Sequence, residues 1–439
     1  MQARKDIFRI PRHLALLFFN EVIRGDALQR QRFLDRIVRR VPLASSLYAL
    51  KFYFFKIFRS KPYSRWRWTI RNLENADYLE SWITDANSTP RVLVTGSGSL
   101  GDILQMTPLL RALKQHIPDA RICVLHLFPG VKMMLKGNPY IESAAQATFQ
   151  QMAELTRAVK EEGAADLAVD IGSVVYIIQY ARAPQHLRHA EIDAVMSDDF
   201  FARAANALGP RQAQIEIFPR KEAALVWPQE LKDIHILDVM GKTANLPISS
   251  TSDLDFFVDK KDEAILKLIP ENARIVTIHT GADANVMHWM KTTGRRPTKL
   301  LPLKTWKETV QLLNKKQYTV VQVGTLSDEL VEGVTLDLRG KTSLREAAVI
   351  IRSAICHLGP EGGMIHLARA MKTKAVVLFG PTPVKLLGYP QNINLTAGNC
   401  LPCFWTTKDW FIYCPRGLME PECMHSHEAQ TIADAVIII

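Results

Sequence analysis

The stretch RVLVTGSGSLGDILQMTPLLRALKQHIPDARICVLHL, residues 91–127, decides the fold. Its opening, Arg91–Gly96, carries branched apolar side chains and ends in glycine, as a buried strand does. A Gly/Ser loop follows. Ile103, Leu104, Leu109, Leu110, Leu113 and Ile117 then recur at helical spacing. Ala120–Leu127 reads as a second strand. Strand, small-residue loop, helix and strand in succession predict a parallel sheet with crossover helices.

Working outward, Asp166–Gly172 (DLAVDIG) predicts another strand. A polar, Pro-containing stretch around 218–260 interrupts the alternation. It restarts with predicted strands at Ala273–Thr280, Tyr318–Gly324, Ala354–Gly359 and Lys374–Gly380. Helices are expected near Thr305–Lys315, Leu344–Ser353 and Gly362–Met371, with a last one beginning near His427. The pattern is two successive doubly wound α/β units, which bind ligands at the carboxyl ends of their strands. The expected organisation is an extension over residues 1–88, a first α/β domain over 89–255 and a second over 256–439.

The 439 residues are 47% apolar and 23% charged, ordinary globular composition for two to three units. The net charge of +11 is unevenly placed: residues 1–71 hold 17 Lys and Arg against four acids, a net of +13 that leaves the remainder near neutral at −2. Phe33, Ile37, Val38 and Val41 fall at helical spacing among arginines, and Trp66 and Trp68 alternate with Arg65 and Arg67. Two readings stand for this extension: a helix lying on an anionic membrane surface, or a packing helix with a solvated basic face. The apolar run Val41–Phe58 contains Lys51 and Lys56, which argues against a membrane span. No secretory leader is expected, and no nucleic-acid-binding module is recognisable.

Three stretches carry candidate chemistry. In Thr95–Asp102 (TGSGSLGD) small residues let backbone N–H groups approach an anion at a helix start. It is neither a Walker A loop nor a GxGxxG fingerprint. Asp102 reads either as a general base for an attacking hydroxyl or as an acid favoured in a helix's first turn. In Lys299–Trp306 (KLLPLKTW), Lys299 precedes a Pro-initiated helix, as a phosphate ligand or as a solvated lysine. In His357–Met371 (HLGPEGGMIHLARAM), Gly362 and Gly363 open a helix start to a diphosphate, with Glu361 and His366 in reach of the same ligand. The alternative is a plain strand–helix turn with a core histidine.

Together these stretches resemble glycosyltransferase family 9, the heptosyltransferases. The run Ser99–Ile122 (SLGDILQMTPLLRALKQHIPDARI) fits the family's opening, Lys299, Pro302 and Trp306 fit its Lys-x-x-Pro-x-x-x-Trp spacing, and Glu361, Gly362, Gly363, His366, Leu367 and Ala368 fit its donor loop. Asp337–Leu344 and Phe379–Thr382 also look like the family. The resemblance covers most of residues 90–439 and leaves the basic extension outside.

It implies a GT-B fold, two Rossmann-like domains facing a cleft, with an acceptor on the first and a nucleotide-sugar on the second. It puts the base on Asp102, the phosphate-binding lysine on Lys299, and donor contacts on Gly281, Glu361, Gly362, Gly363 and His366. The implied reaction is an inverting, metal-independent transfer of a sugar, heptose foremost, to a lipopolysaccharide or other surface glycan. The family's Asp-Ser/Thr pair is replaced here by Glu361-Gly362, so a donor other than ADP-heptose stays open. So do a protein glycosyltransferase and a non-catalytic binding module. The expected location is cytoplasmic, peripheral to the inner membrane. Asp253-Leu254-Asp255 spells DxD but falls between the domains and reads as coincidence.

Cys123 and Cys356 sit alone in apolar runs and read as buried strand residues. Cys400, Cys403, Cys414 and Cys423 form C-x2-C-x10-C-x8-C, a spacing that fits a structural zinc, less well an iron–sulfur site, and otherwise four reduced thiols.

Overall fold

The computed structural model describes residues 73–85, 89–162, 164–171, 178–182, 234–244, 246–281, 290, 292–398, 400–404, 407 and 410–439. The expected membrane-facing segment, residues 1–71, lies outside them. The chain divides after Ser64, and everything described belongs to the compact unit Arg65–Ile439.

The first sheet contains β1 (Arg91–Gly96), β2 (Arg121–His126), β3 (Ser143–Gln146), β4 (Leu167–Ile171) and β5 (Ile178–Arg182) in the order β3-β2-β1-β4-β5. All pairs are parallel except β4–β5, so an antiparallel edge strand closes a sheet that the sequence led us to expect as parallel. The second sheet contains β6 (Ile275–Ile278), β7 (Thr319–Gln322), β8 (Leu336–Asp337), β9 (Cys356–Pro360), β10 (Ala375–Phe379) and β11 (Ile393–Thr396). Its order, β11-β10-β9-β6-β7-β8, is parallel throughout and is the doubly wound Rossmann arrangement. In each sheet the winding reverses beside the first strand, between β1 and β4 and between β6 and β9. The turns leaving β1 and β9 therefore open at the two switch points, where such sheets bind ligands.

The helices are α1 (Ala76–Thr84), α2 (Leu100–His116), α3 (Val131–Met134), α4 (Phe149–Glu162), α5 (Ile236–Ala244), α6 (Leu303–Lys315), α7 (Leu344–Ser353), α8 (Gly363–Ala370), α9 (Val384–Leu387), α10 (Glu422–His425) and α11 (Ala429–Ile438). None among the described residues is long and apolar enough to cross a membrane. Every residue of β1, β6, β9 and β10 is buried, as expected for strands covered on both faces. Cys123 and Cys356 are buried in strands as read from the sequence. Helix α1 packs Leu79, Trp82 and Ile83 against Leu93, Cys123 and Leu125 of the first sheet.

Helix α2 buries the apolar residues that the sequence pattern picked out: Ile103, Leu104, Leu109, Leu110 and Leu113 are fully enclosed. Pro108 interrupts it, and proline has no N–H to offer the carbonyl four residues back. The Thr107 hydroxyl donates to the Leu104 carbonyl instead, at 2.7 Å, and accepts the Asp255 N–H at 2.8 Å. The Thr-Pro pair thus repairs its own helix and ties the interdomain stretch to it. Arg111 of α2 pairs with Asp255, while Arg369 of α8 donates to the carbonyls of Thr251 and Ser252 and pairs with Asp253 at 3.3 Å. Both carboxylates of the DxD stretch are held by arginines, one from each domain.

The apolar core is continuous across the junction. Leu109 and Leu110 of α2 share it with Leu367, Ala368 and Met371 from the α8 region and with Tyr389.

Candidate active site

The two switch-point turns meet. A Cβ on Gly101, at the start of α2, would stand 2.7 Å from Cδ2 of His366 and 3.4 Å from the Gly363 Cα. A Cβ on Gly363, the first residue of α8, would stand 2.8 Å from Cδ2 of Leu100. Glycine is needed at both positions because two helix N-termini abut with no room for side chains. The first N–H groups of each helix lack intrahelical acceptors, and their dipoles add positive potential at the junction.

Asp102 sits in the first turn of α2. Its Oδ2 accepts from the Ser99 N–H at 2.6 Å and from the Ser99 hydroxyl at 3.1 Å, forming a capping box. Gly98 adopts φ +118, and a Cβ there would strike the Asp102 carboxylate. The loop is thus shaped around this carboxylate, which caps its helix and remains part-exposed at the domain junction.

On the opposite turn, Glu361 is buried, and its Oε2 accepts from Lys299 Nζ at 2.6 Å. Lys299 also lies 5.3 Å from the Trp410 ring centroid. Burial works against the Glu361 carboxylate, but the Lys299 charge, with help from His366, outweighs it and holds the group below the usual glutamate range. Lys299 thus stands at this turn with Glu361 as its partner. Gly362 differs from its neighbour: its φ of 163 is ordinary extended backbone, and a Cβ there would stand in open space. Gly281, expected at the same ligand, follows β6 and packs against the Asp328 carboxylate, which a Cβ would overlap.

His366 is buried one turn into α8. Burial, reinforced by Lys299 and only partly offset by Glu361, pushes it down to about 4, so the ring is neutral near pH 7. Its Nδ1 lies 2.7 Å from the Tyr389 hydroxyl and its Nε2 lies 3.9 Å from Glu361 Oε1. Tyr389 was not singled out in the sequence. It follows the Phe379–Thr382 motif as a lone aromatic, with no local pattern to mark it. His126 was also missed: it is buried over Gly96 at the end of β1, with burial pushing it down to about 4.

The four C-terminal cysteines lie apart from this junction in sequence. Burial raises Cys403 to about 11, with Cys414 and Cys400 adding to it. Burial raises Cys423 to about 12, with Cys400, Cys403 and Cys414 adding to it. Both thiols are therefore protonated near neutral pH. Among the described residues, no group of three or more His, Cys, Asp or Glu side chains is arranged to hold a metal ion.

The description "Glycosyltransferase family 9 (heptosyltransferase)" matches residues 258–409, the span that carries Lys299, Glu361 and His366. The match falls on the second sheet and its helices. A curated relative, lipopolysaccharide heptosyltransferase 1 of Campylobacter coli, is 28% identical over 149 residues. That match covers 32% of this chain and only 42% of the relative's length.

Among solved structures, a family 9 glycosyl transferase from Veillonella parvula aligns over 81% of this chain and 99% of its own, with 15% identity and a TM-score of 0.53. ADP-heptose lps heptosyltransferase II of E. coli aligns over 79% of this chain and 98% of its own, with 16% identity and a TM-score of 0.46. At such identities the first likeness bears on fold alone, and the second is too distant to add to it. The two Rossmann-like sheets and the junction they share constitute a GT-B fold.

Proposed function

We propose that this protein is a glycosyltransferase that moves a sugar, heptose foremost, from a nucleotide-sugar to a lipopolysaccharide or related surface glycan. The observation that carries the reading is the junction itself. A family 9 donor turn with a buried Lys299–Glu361 pair abuts a second helix N-terminus bearing Asp102. Two convergent helix N-termini with a lysine suit a departing diphosphate, and such charge stabilisation is often the largest catalytic contribution.

The chemistry that fits is an inverting displacement. Asp102 takes the proton of the acceptor hydroxyl, that oxygen forms its bond to the anomeric carbon, and the nucleoside diphosphate leaves with the electrons of the broken bond. For this, Asp102 must turn from its cap toward the acceptor. Lys299 and the α8 amides receive the negative charge, so no metal is needed for the step. Gly362, where the resemblance leads one to expect a hydroxyl, leaves room beside the donor and keeps a sugar other than heptose open.

The four cysteines are proposed as reduced thiols, one of the readings their spacing allows, since burial keeps Cys403 and Cys423 protonated near neutral pH and, among the described residues, no three of them are arranged to hold a metal ion. Metal analysis of the purified protein checks this, and stoichiometric zinc or iron in a folded preparation removes it. The basic segment 1–71 is proposed to hold the enzyme on the cytoplasmic face of the inner membrane, and deleting it is expected to abolish co-sedimentation with anionic vesicles.

The first test of the whole reading is calorimetric titration of ADP, GDP, UDP and CDP into the wild type and Lys299→Ala. Selective binding of one nucleotide, weakened in the variant, supports the donor site and identifies its nucleotide. Binding of none sinks the transferase reading in favour of a fold that has lost its donor.

A further inference from the structure

Tyr389 stands at the centre of a buried chain that links the two domains. Its hydroxyl is 2.7 Å from His366 Nδ1, and its ring is fully buried, with the His235 ring centroid 5.4 Å away and the Arg369 guanidinium 5.6 Å from its own centroid. The side chain of Gln105, buried on α2 one turn beyond Asp102, interacts with the same hydroxyl. On the far side of His366, Nε2 faces Glu361 Oε1 at 3.9 Å, and Glu361 Oε2 is taken by Lys299.

The Glu361 carboxylate favours one set of proton positions along this chain. A neutral histidine carries one proton, on Nδ1 or on Nε2. With the proton on Nδ1, the Nε2 lone pair would face the Glu361 carboxylate in a buried space, two acceptors against each other. With it on Nε2, the N–H dipole faces the carboxylate and Nδ1 is left to accept. The Tyr389 O–H then donates to Nδ1. At 3.9 Å the Nε2–Oε1 approach is too long for a hydrogen bond, so the Nε2 proton stays available to a third group. Cδ2 and Nε2 are the ring atoms nearest the Gly101 position, at 2.7 and 3.4 Å from its would-be Cβ, so this edge faces the junction of the two helix N-termini.

We propose that Tyr389 is a positioning residue that fixes His366 in its Nε2–H form and so presents a neutral hydrogen-bond donor to the nucleoside diphosphate at the junction. The proposal rests on the transferase reading for the identity of that ligand, and on the geometry alone for the tautomer. Because Tyr389 also meets Gln105, the ring orientation on the donor side is tied to the helix that carries Asp102.

The test has two independent readouts. Nitrogen-15 spectroscopy of histidine-labelled protein, with His366 assigned through His366→Gln, reads the tautomer without substrate. The wild type is expected to carry the proton on Nε2, and Tyr389→Phe, which keeps the ring and removes only the hydroxyl, is expected to show a mixture. Steady-state transfer is expected to lose about ten-fold in kcat with KM nearly unchanged, the effect of one misdirected hydrogen bond in the transition state. A wild-type proton on Nδ1 overturns the proposal even if the variant fails to fold. An unchanged tautomer in Tyr389→Phe also overturns it. Failure of the wild type to transfer any sugar sinks the transferase reading instead, and the tautomer result still decides the role of Tyr389.

Discussion

The turn leaving β1 and the turn leaving β9 have the same plan and opposite electrostatics. Each follows a buried central strand, contains glycines, opens a helix and carries one carboxylate. In the first, Asp102 bends back onto Ser99 and stays part-exposed. In the second, Glu361 is buried and takes the Lys299 ammonium from another loop. A part-exposed carboxylate that caps its own helix can exchange partners more readily than a buried one. One buried against a lysine is part of the fold and sets where the positive charge stands. On the proposed reading, proton transfer falls to the first turn and anion binding to the second.

The strongest way to break that division is at Asp102. Asp102→Ala is expected to reduce transfer by about 10²–10⁴-fold, the range of a lost general base. Loss of its cap costs only about 1 kcal/mol of stability. Nucleotide affinity is expected to stay near wild type. Turnover equal to wild type would return Asp102 to a purely capping role, and lost nucleotide affinity would merge the two turns into one binding site.

Lys299 tests the other side. Lys299→Ala leaves Glu361 buried without its partner, expected to cost roughly 3 kcal/mol, the low end for a broken buried pair because the lysine is part-exposed. Adding Glu361→Gln is expected to recover much of that stability but not nucleotide binding. Denaturant titration of the two single variants and the double variant reads the coupling. Additive losses would show that the pair is not the unit described here.

The abutting glycines sharpen the comparison further. Gly101→Ala meets the His366 ring, itself held by Tyr389, whereas Gly363→Ala meets the movable end of Leu100. The first is expected to destabilise by about 2 kcal/mol and the second by less, since overpacking costs most where the neighbour cannot yield. Thermal unfolding of both variants checks the order, and a larger loss in Gly363→Ala would mean that the α8 side is the rigid one.

Much of this was legible locally. The pattern from Arg91 to Leu127 gave strand, turn and helix because a strand–turn–helix unit is built from neighbours in sequence, and Gly362–His366 was legible for the same reason. What escaped was non-local or patternless. The Lys299–Glu361 pair joins residues 62 apart, and Tyr389 has only its three-dimensional company to mark it. Strands β3, β8 and β11 are short, mostly half-buried edge strands without an apolar run. The DxD at Asp253–Asp255 reads as coincidence in the sequence, and its clamping by Arg111 and Arg369 needed both domains in place.

The remaining expected effect concerns protons. In the unfolded chain a histidine binds its proton near pH 6.5, whereas folded His366 refuses it until about 4. Between these values the unfolded state binds more protons, so acid favours unfolding and stability falls as pH drops through that window. His126 in the first sheet domain is pushed down to about 4 by burial and acts in the same direction. Glu361, held below the ordinary glutamate range, extends the loss to lower pH, because its stabilising charge disappears as it protonates. His366→Gln is expected to remove about 1.4 kcal/mol per pH unit of the slope between pH 6.5 and 4, measured by denaturant unfolding at several pH values. The His126 share should remain and keep the slope from vanishing. A slope unchanged by His366→Gln would mean that this ring takes its proton as readily in the fold as in water, and the neutral donor facing the junction would then be lost near neutral pH.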